Sequence, residues 1–241
     1  MIKKLLKRVL LGEKASSEAY VSHLRKAGMQ IGEDVYFYAP SHTLIDETRP
    51  WMISIGDHVR ITHGVIVLTH DYSWYVLKNL PEEPGRVLGA ESPVTIGSNV
   101  FIGMNAVITR GVTVGDNVII GAGSVVTKDC ESNSVYAGNP ARKLLTIDED
   151  LAKREDRQFE EAKAMVRRYR ERFGVVPPKE ELCEYFMLFS DAEAAKEVPE
   201  FRQKMCVADL EAETECFMHN HPPRFGSYEA FLAACGEEER E

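Results

Sequence analysis

Residues able to move a proton or hold a metal gather in the first third of this 241-residue chain. Leu68-Thr-His-Asp71 sets an imidazole beside a carboxylate, and Leu44-Ile-Asp-Glu-Thr-Arg49 offers another acid at Asp46. Imidazole titrates at about pH 6.5, so His70 can accept a hydroxyl proton near neutrality. Asp71 can orient that ring, bind a substrate or cap a turn, and Asp46 can reach a substrate. Tyr72, Trp74 and Tyr75 supply aromatic faces, suited either to stacking a sugar ring or to packing the loop itself. His58, His63 and His70 raise a zinc alternative, because three imidazoles make a metal donor set. His219 and His221 stand beside Pro222-Pro223 with no second ligand cluster, and read as loop residues.

The elements that position these groups are written in Val94–Thr127. Ile96, Ile102, Ile108, Val114, Ile120 and Val126 recur at a spacing of six, with apolar or small companions two positions earlier at Val94, Val100, Ala106, Val112, Val118 and Ser124. In a helix six residues turn through about 600°, so these side chains would scatter over three sides. In a strand, residues two apart share a face. Glycine follows at Gly97, Gly103, Gly115 and Gly121, where it is expected to open a turn by adopting positive φ. Short strand, turn, short strand at a fixed period describes a parallel β-helix, with three strands to each triangular coil. The phase is visible earlier at Ile31, Ile55, Ile61 and Val67. Ser41–Met52 and His70–Ser92 break it, punctuated by Pro40, Pro50, Pro81, Pro84, Gly85 and Gly89. Loops that leave a regular ladder are where binding groups sit.

The flanks follow other rules. Residues 16–27 form an expected helix, capped by Ser16 or Ser17 and closed by Gly28. Beyond Asp148 the period is lost. Helices are expected over Leu151–Phe173 and Lys179–Phe189, and near Phe201–Leu210 and Tyr228–Ala234. The expected domains are therefore a helical segment over 1–27, a β-helix over 28–146 and a helical extension over 147–241. Net charge is −9, and the excess acid lies in the extension, with 24 Asp/Glu against 14 Lys/Arg. That balance excludes a general nucleic-acid binder, whose affinity comes from neutralised phosphates. Five cysteines without a CxxC pair suit reduced thiols in the cytoplasm. Residues 1–11 are not read as a signal peptide. They suit a short helix packed on its own protein, with peripheral contact to an anionic membrane as the alternative.

The repeats from Ile96 to Lys128, closed by Ala137-Gly-Asn-Pro-Ala-Arg142, resemble the hexapeptide-repeat acyltransferases. Within that family the chain is most similar to the maltose/galactoside and capsular-sugar O-acetyltransferases, over roughly residues 28–146. Parallel crossovers are right-handed in about 98% of cases, but the resemblance implies a left-handed β-helix. It also implies acetyl-CoA as donor and direct transfer to a hydroxyl of a sugar or polysaccharide precursor, with His70 as general base. It further implies a homotrimer with active sites between subunits. The Met104 main chain would donate to the thioester carbonyl, with Gly103 permitting close approach. Ala122, Thr127 and Lys128 would line the pantetheine and phosphate path, and Arg142 would lie near the nucleotide phosphates. Acceptor contacts are expected at Asp46, Asp71, Tyr72 and Trp74. The related sugar enzymes carry an asparagine near Pro40-Ser41-His42, so the acceptor stays open, with serine or an antibiotic as alternatives. γ-Class carbonic anhydrases are the zinc rival, but their paired histidines occupy other slots of the repeat than His58 and His63. No metal is expected.

Overall fold

The computed structural model describes residues 10–236. The chain divides into two compact units, residues 1–150 and 151–241.

The first unit is a ladder of short strands in three sheets. The first sheet stacks β1 (Gln30–Ile31), β4 (Ile53–Ile55), β7 (Val94–Ile96) and β10 (Thr113–Val114), all parallel. The second stacks β2 (Tyr36–Phe37), β5 (Arg60–Ile61), β8 (Val100–Ile102), β11 (Val118–Ile120) and β13 (Ser134–Ala137) in parallel, with β14 (Arg142–Thr146) added antiparallel at its end. The third stacks β3 (Leu44–Ile45), β6 (Ile66–Val67), β9 (Val107–Ile108) and β12 (Val125–Val126), again parallel. The chain visits the sheets in rotation, so each circuit is one coil. Register brings like positions together: Ile55 lies on Ile96, Ile61 on Ile102 and Val67 on Ile108. These side chains are buried in one continuous core. Burying each aliphatic contributes about 1.5–3 kcal/mol, so a sixfold spacing in the sequence becomes the axis of the fold.

The corners differ from expectation. Gly97, Gly103, Gly115 and Gly121 do not have positive φ. They are glycine because the next coil runs too close: a Cβ on Gly97 would stand 2.8 Å from the Gly115 backbone, and one on Gly103 2.5 Å from the Ala122 nitrogen. Positive φ falls two residues later, at Asn99, Asn105 and Asn117, whose short amides tolerate it. Asn99 donates to Asn117, and Asn117 to Asn133, each at 2.8 Å, so one corner is bound by a column of amides.

The first expected break is also smaller than Ser41–Met52. Leu44–Ile45 is a rung, with Ile45 buried against Val67. Eight residues separate Phe37 from Ile45 instead of six, so the two extra residues disguise the phase. Above the first coil, helix α1 (Ser17–Ala27) closes the core. Ser16 Oγ accepts the Ala19 N–H at 3.2 Å, Gly28 ends the helix at φ 110°, and Tyr20 meets Phe37 edge-on at 5.0 Å.

In the long interruption α2 (Trp74–Lys78) adds one helical turn. Helix α3 (Ile147–Phe173) then leads into the second unit, whose further helices are α4 (Ala192–Lys196), α5 (Pro199–Met205), α6 (Glu211–Asn220) and α7 (Tyr228–Gly236). Phe186, Phe189, Phe201 and Phe231 form its core. The helix expected over Lys179–Phe189 is instead two 3₁₀ turns, Lys179–Leu182 and Phe186–Leu188. Phe186 and Leu188 are both buried, and a helix would point them about 200° apart. His219 lies on α6 and not in a loop. Residues 1–9 of the expected N-terminal helix lie outside the described residues. Among the described residues no helix is long and apolar enough to cross a membrane.

Candidate active site

His70 sits where the third sheet gives way to the long loop. Leu68 is still on the ladder, its N–H bonded to the Ile108 carbonyl at 3.0 Å. The loop returns against the same stretch: Asp71 N–H bonds to Ala90 O, and Ser92 N–H to Thr69 O, each at 2.9 Å. His70 and Glu91 therefore face one another as an antiparallel bridge. The imidazole is thus held by backbone on both sides, with 22% of its side chain exposed.

Beneath it lies Asp46. Its Oδ2 stands 2.6 Å from His70 Nδ1 and also accepts from Thr69 N–H at 3.1 Å and Thr69 Oγ1 at 2.5 Å. Its Oδ1 accepts from Thr48 N–H at 3.0 Å and Thr48 Oγ1 at 2.6 Å. Burial opposes ionisation of this carboxyl, but the bonds from Thr48 and Thr69 outweigh it and hold Asp46 well below the usual carboxylate range. A carboxylate can only accept, so Nδ1 carries the proton and the Nε2 lone pair is left free. Among the described residues Nε2 has no hydrogen-bond partner.

Two expected roles are corrected by this geometry. Asp46 is not an acceptor contact: its side chain is 2% exposed and both oxygens are engaged. Asp71 does not orient the imidazole. Its oxygens take Ser73 N–H at 2.7 Å and Ser73 Oγ at 3.0 Å, capping the turn ahead of α2, and these bonds lower its pKa. Thr48 and Thr69 carry no chemical signature of their own in the sequence. The Asp-x-Thr spacing of Asp46 and Thr48 was the available signal, because a short polar side chain readily bonds two residues on.

Tyr72 stands edge-on to His70 at 4.7 Å, and Trp74 is 6.3 Å beyond it. A groove of about 720 Å³ runs from His70 and Tyr72 past Thr109 and Arg110 to Thr127. Thr127 and its neighbour Lys128 follow β12 at the corner where the third sheet returns to the first, the corner His70 occupies. Gly103, Met104 and Ala122 fall at a different corner, between the second and third sheets. The Gly138–Ala141 turn packs beside that second corner, with Ala141 N–H on Val125 O at 2.8 Å, and Arg142 follows at the start of β14. One chain therefore divides the expected donor-binding residues between two corners. Among the described residues neither Met104 nor Ala122 commits its N–H to a bond within the chain, whereas Gly103 gives its own to Ile120 O at 2.8 Å.

The three histidines of the zinc alternative do not converge in this chain. His58 occupies the first corner on Asp34, His63 the second, stacked on His42 at 4.6 Å, and His70 the third. Elsewhere, Glu193, Glu215 and His219 cluster within ligand range of one another. Lys196 Nζ, 2.6 Å from Glu215 and 3.4 Å from Glu193, already supplies the positive charge there.

Comparison with known proteins agrees with the ladder. A profile of the hexapeptide repeat of succinyl-transferase matches residues 93–128. Protein CapG of Staphylococcus aureus is 42% identical over 146 residues, covering 60% of this chain and 76% of that protein. Galactoside O-acetyltransferase of Escherichia coli is 38% identical over 142 residues, covering 58% of this chain and 64% of that protein. The crystal structure of a maltose O-acetyltransferase from Clostridium difficile is 31% identical, over 59% of this chain and 83% of that one, with a TM-score of 0.41. The kinship rests on the sequence identities and the repeat: the chain belongs to the hexapeptide-repeat acyltransferases.

Proposed function

We propose that this chain transfers an acetyl group from acetyl-CoA directly to a hydroxyl of a sugar or cell-surface polysaccharide precursor, with His70 as general base. The observation that carries the reading is the Asp46–His70 pair at 2.6 Å, which leaves Nε2 open. Nε2 takes the acceptor proton as the hydroxyl oxygen attacks the thioester carbonyl. Asp46 steadies the imidazolium that forms, as a buried carboxylate does in a triad. The tetrahedral intermediate collapses, the carbon–sulfur bond breaks, and the proton passes from Nε2 to the departing thiolate. Acetyl ester and free CoA result, and the imidazole is again neutral.

A developing oxyanion needs a donor aimed at it, and the unspent N–H of Met104 suits that role. Since Met104 and His70 sit at different corners, the reading takes them from neighbouring subunits of a homotrimer. The outward faces of the sheets support this. The third sheet presents Leu44, Ile66, Val107 and Val125, while the first presents Gln30, Ser54, Thr95 and Thr113. An aliphatic outer row suits burial against another copy. Arg110, Thr127 and Lys128 suit the polyanionic end of the donor. A left-handed winding and a cytoplasmic setting accompany this reading, through the family likeness and five free thiols.

The test is release of CoA thiol from acetyl-CoA against sugars, nucleotide sugars, serine and chloramphenicol. Turnover that depends on a sugar hydroxyl is the expected result. Turnover with serine or chloramphenicol alone would move the acceptor to another class.

A further inference from the structure

His70 lines two clefts. The groove toward Arg110 and Thr127 is one. The other, about 470 Å³, lies between the two interruptions of the ladder and is bounded by Arg49, Trp74, Leu88 and Glu91. We infer that this second cleft is the acceptor site, and that Arg49 and Glu91 read an uncharged pyranose ring through two adjacent hydroxyls. The inference rests on the reading of His70 as base and adds to it where the acceptor lies and what recognises it.

Position comes first. Residues directly opposite in an antiparallel bridge send their side chains to the same face, so Glu91 projects beside His70. Whatever Glu91 holds therefore lies beside the imidazole. The cleft volume lies within the range usual for small-ligand sites.

Charge comes next. Arg49 Nε meets Glu91 Oε2 at 2.8 Å, and 42% and 40% of the two side chains remain exposed. Such a pair is neutral overall, so the cleft offers no net attraction to an anion. Asp71 lines both clefts as a carboxylate, so it balances Arg110 in the other groove and leaves this cleft with one negative charge in excess. The phosphate-bearing donor suits the balanced groove, and an uncharged acceptor suits the cleft whose excess negative charge repels anions. Among the described residues the Arg49 side chain bonds only through Nε, so both Nη groups remain donors, and Glu91 keeps Oε1 as an acceptor. A hydroxyl both donates and accepts, so two neighbouring hydroxyls satisfy the pair at once. The exposed ring of Tyr72 and the half-buried ring of Trp74 provide apolar faces for the C–H side of a sugar.

A simpler role for Arg49 and Glu91 is to fasten one loop to the other. Kinetics of three proteins separate the two: wild type, Glu91→Gln, and the exchange Arg49→Glu with Glu91→Arg, which keeps an ion pair but reverses it. The probes are acetyl-CoA with methyl galactoside, methyl glucoside and galacturonate. Glu91→Gln should raise the sugar KM roughly tenfold or more, as for loss of a charge-assisted bond, with the acetyl-CoA KM unchanged. The exchange should leave the sugar KM raised. Restoration of the sugar KM by the exchange would mean a fastener and overturn the inference. So would a rise in the acetyl-CoA KM instead, or preference for galacturonate over methyl galactoside. A wild-type protein that acetylates no sugar would remove the proposed function as well. Turnover by wild type with indifferent variants would remove this inference alone.

Discussion

From Ile96 to Val126 every sixth side chain is buried and aliphatic, and no ionisable side chain is buried. In the two stretches that interrupt the ladder the pattern is reversed: Asp46 and Thr69 are buried and His70 is half-covered between them. The contrast has a physical origin. A slot repeated coil upon coil must be filled by the same kind of residue, because each side chain is packed by its equivalents above and below. A buried carboxylate needs several donors converging on it, and only irregular backbone supplies them. The ladder provides rigidity and the slips in its period provide chemistry.

Exchanging Asp46 for Asn should break the second half of that contrast most visibly. The amide cannot fix the Nδ1–H tautomer, and kcat should fall roughly 10²-fold or more in a thiol-release assay. The same variant should lose the acid response of stability. A carboxylate whose folded pKa is depressed stabilises above its unfolded value, and that contribution disappears as pH falls through the folded one. Since Asp46 lies below the usual range, wild type should hold the contribution at neutral pH and lose it only in strong acid.

Ile102→Ala tests the first half. Ile102 is fully buried between Ile61 and Ile120. Its truncation should cost about 2–5 kcal/mol in chemical unfolding, with acetyl transfer by the folded fraction unchanged. A comparable stability loss from an outward position such as Phe101 would contradict the assignment of inside and outside.

Asp71→Ala should do least. Asp71 is partly exposed and, among the described residues, its carboxylate bonds only Ser73, so loss of that turn cap should cost about 1 kcal/mol and alter kcat little. A loss as large as that of Asp46→Asn would return Asp71 to the imidazole.

The same contrast explains what the sequence disclosed. The coils were legible because six aliphatics at one spacing leave a strand no other face to bury. His70 was legible because it ends a rung. Asp46 stands out in the sequence but its partners do not, since nothing in Leu44-Ile-Asp-Glu-Thr announces that Thr69, twenty-three residues away, lies against it. The rung at Ile45 was hidden by the two extra residues ahead of it. The period locates the glycines but not their reason: contact between coils, not backbone angle, demands them. In the second unit no repeat guides the reading, and side chains such as Leu188, buried off any single helical stripe, turned an expected helix into two short turns.

The central claim is that His70, held by Asp46, removes the acceptor proton. Steady-state kinetics of His70→Ala test it most directly. Turnover should fall by about 10²–10⁴, while the KM for acetyl-CoA stays within about twofold, as expected when a group acts in the transition state and not in ground-state binding. A folded His70→Ala protein that turns over at the wild-type rate would contradict the account.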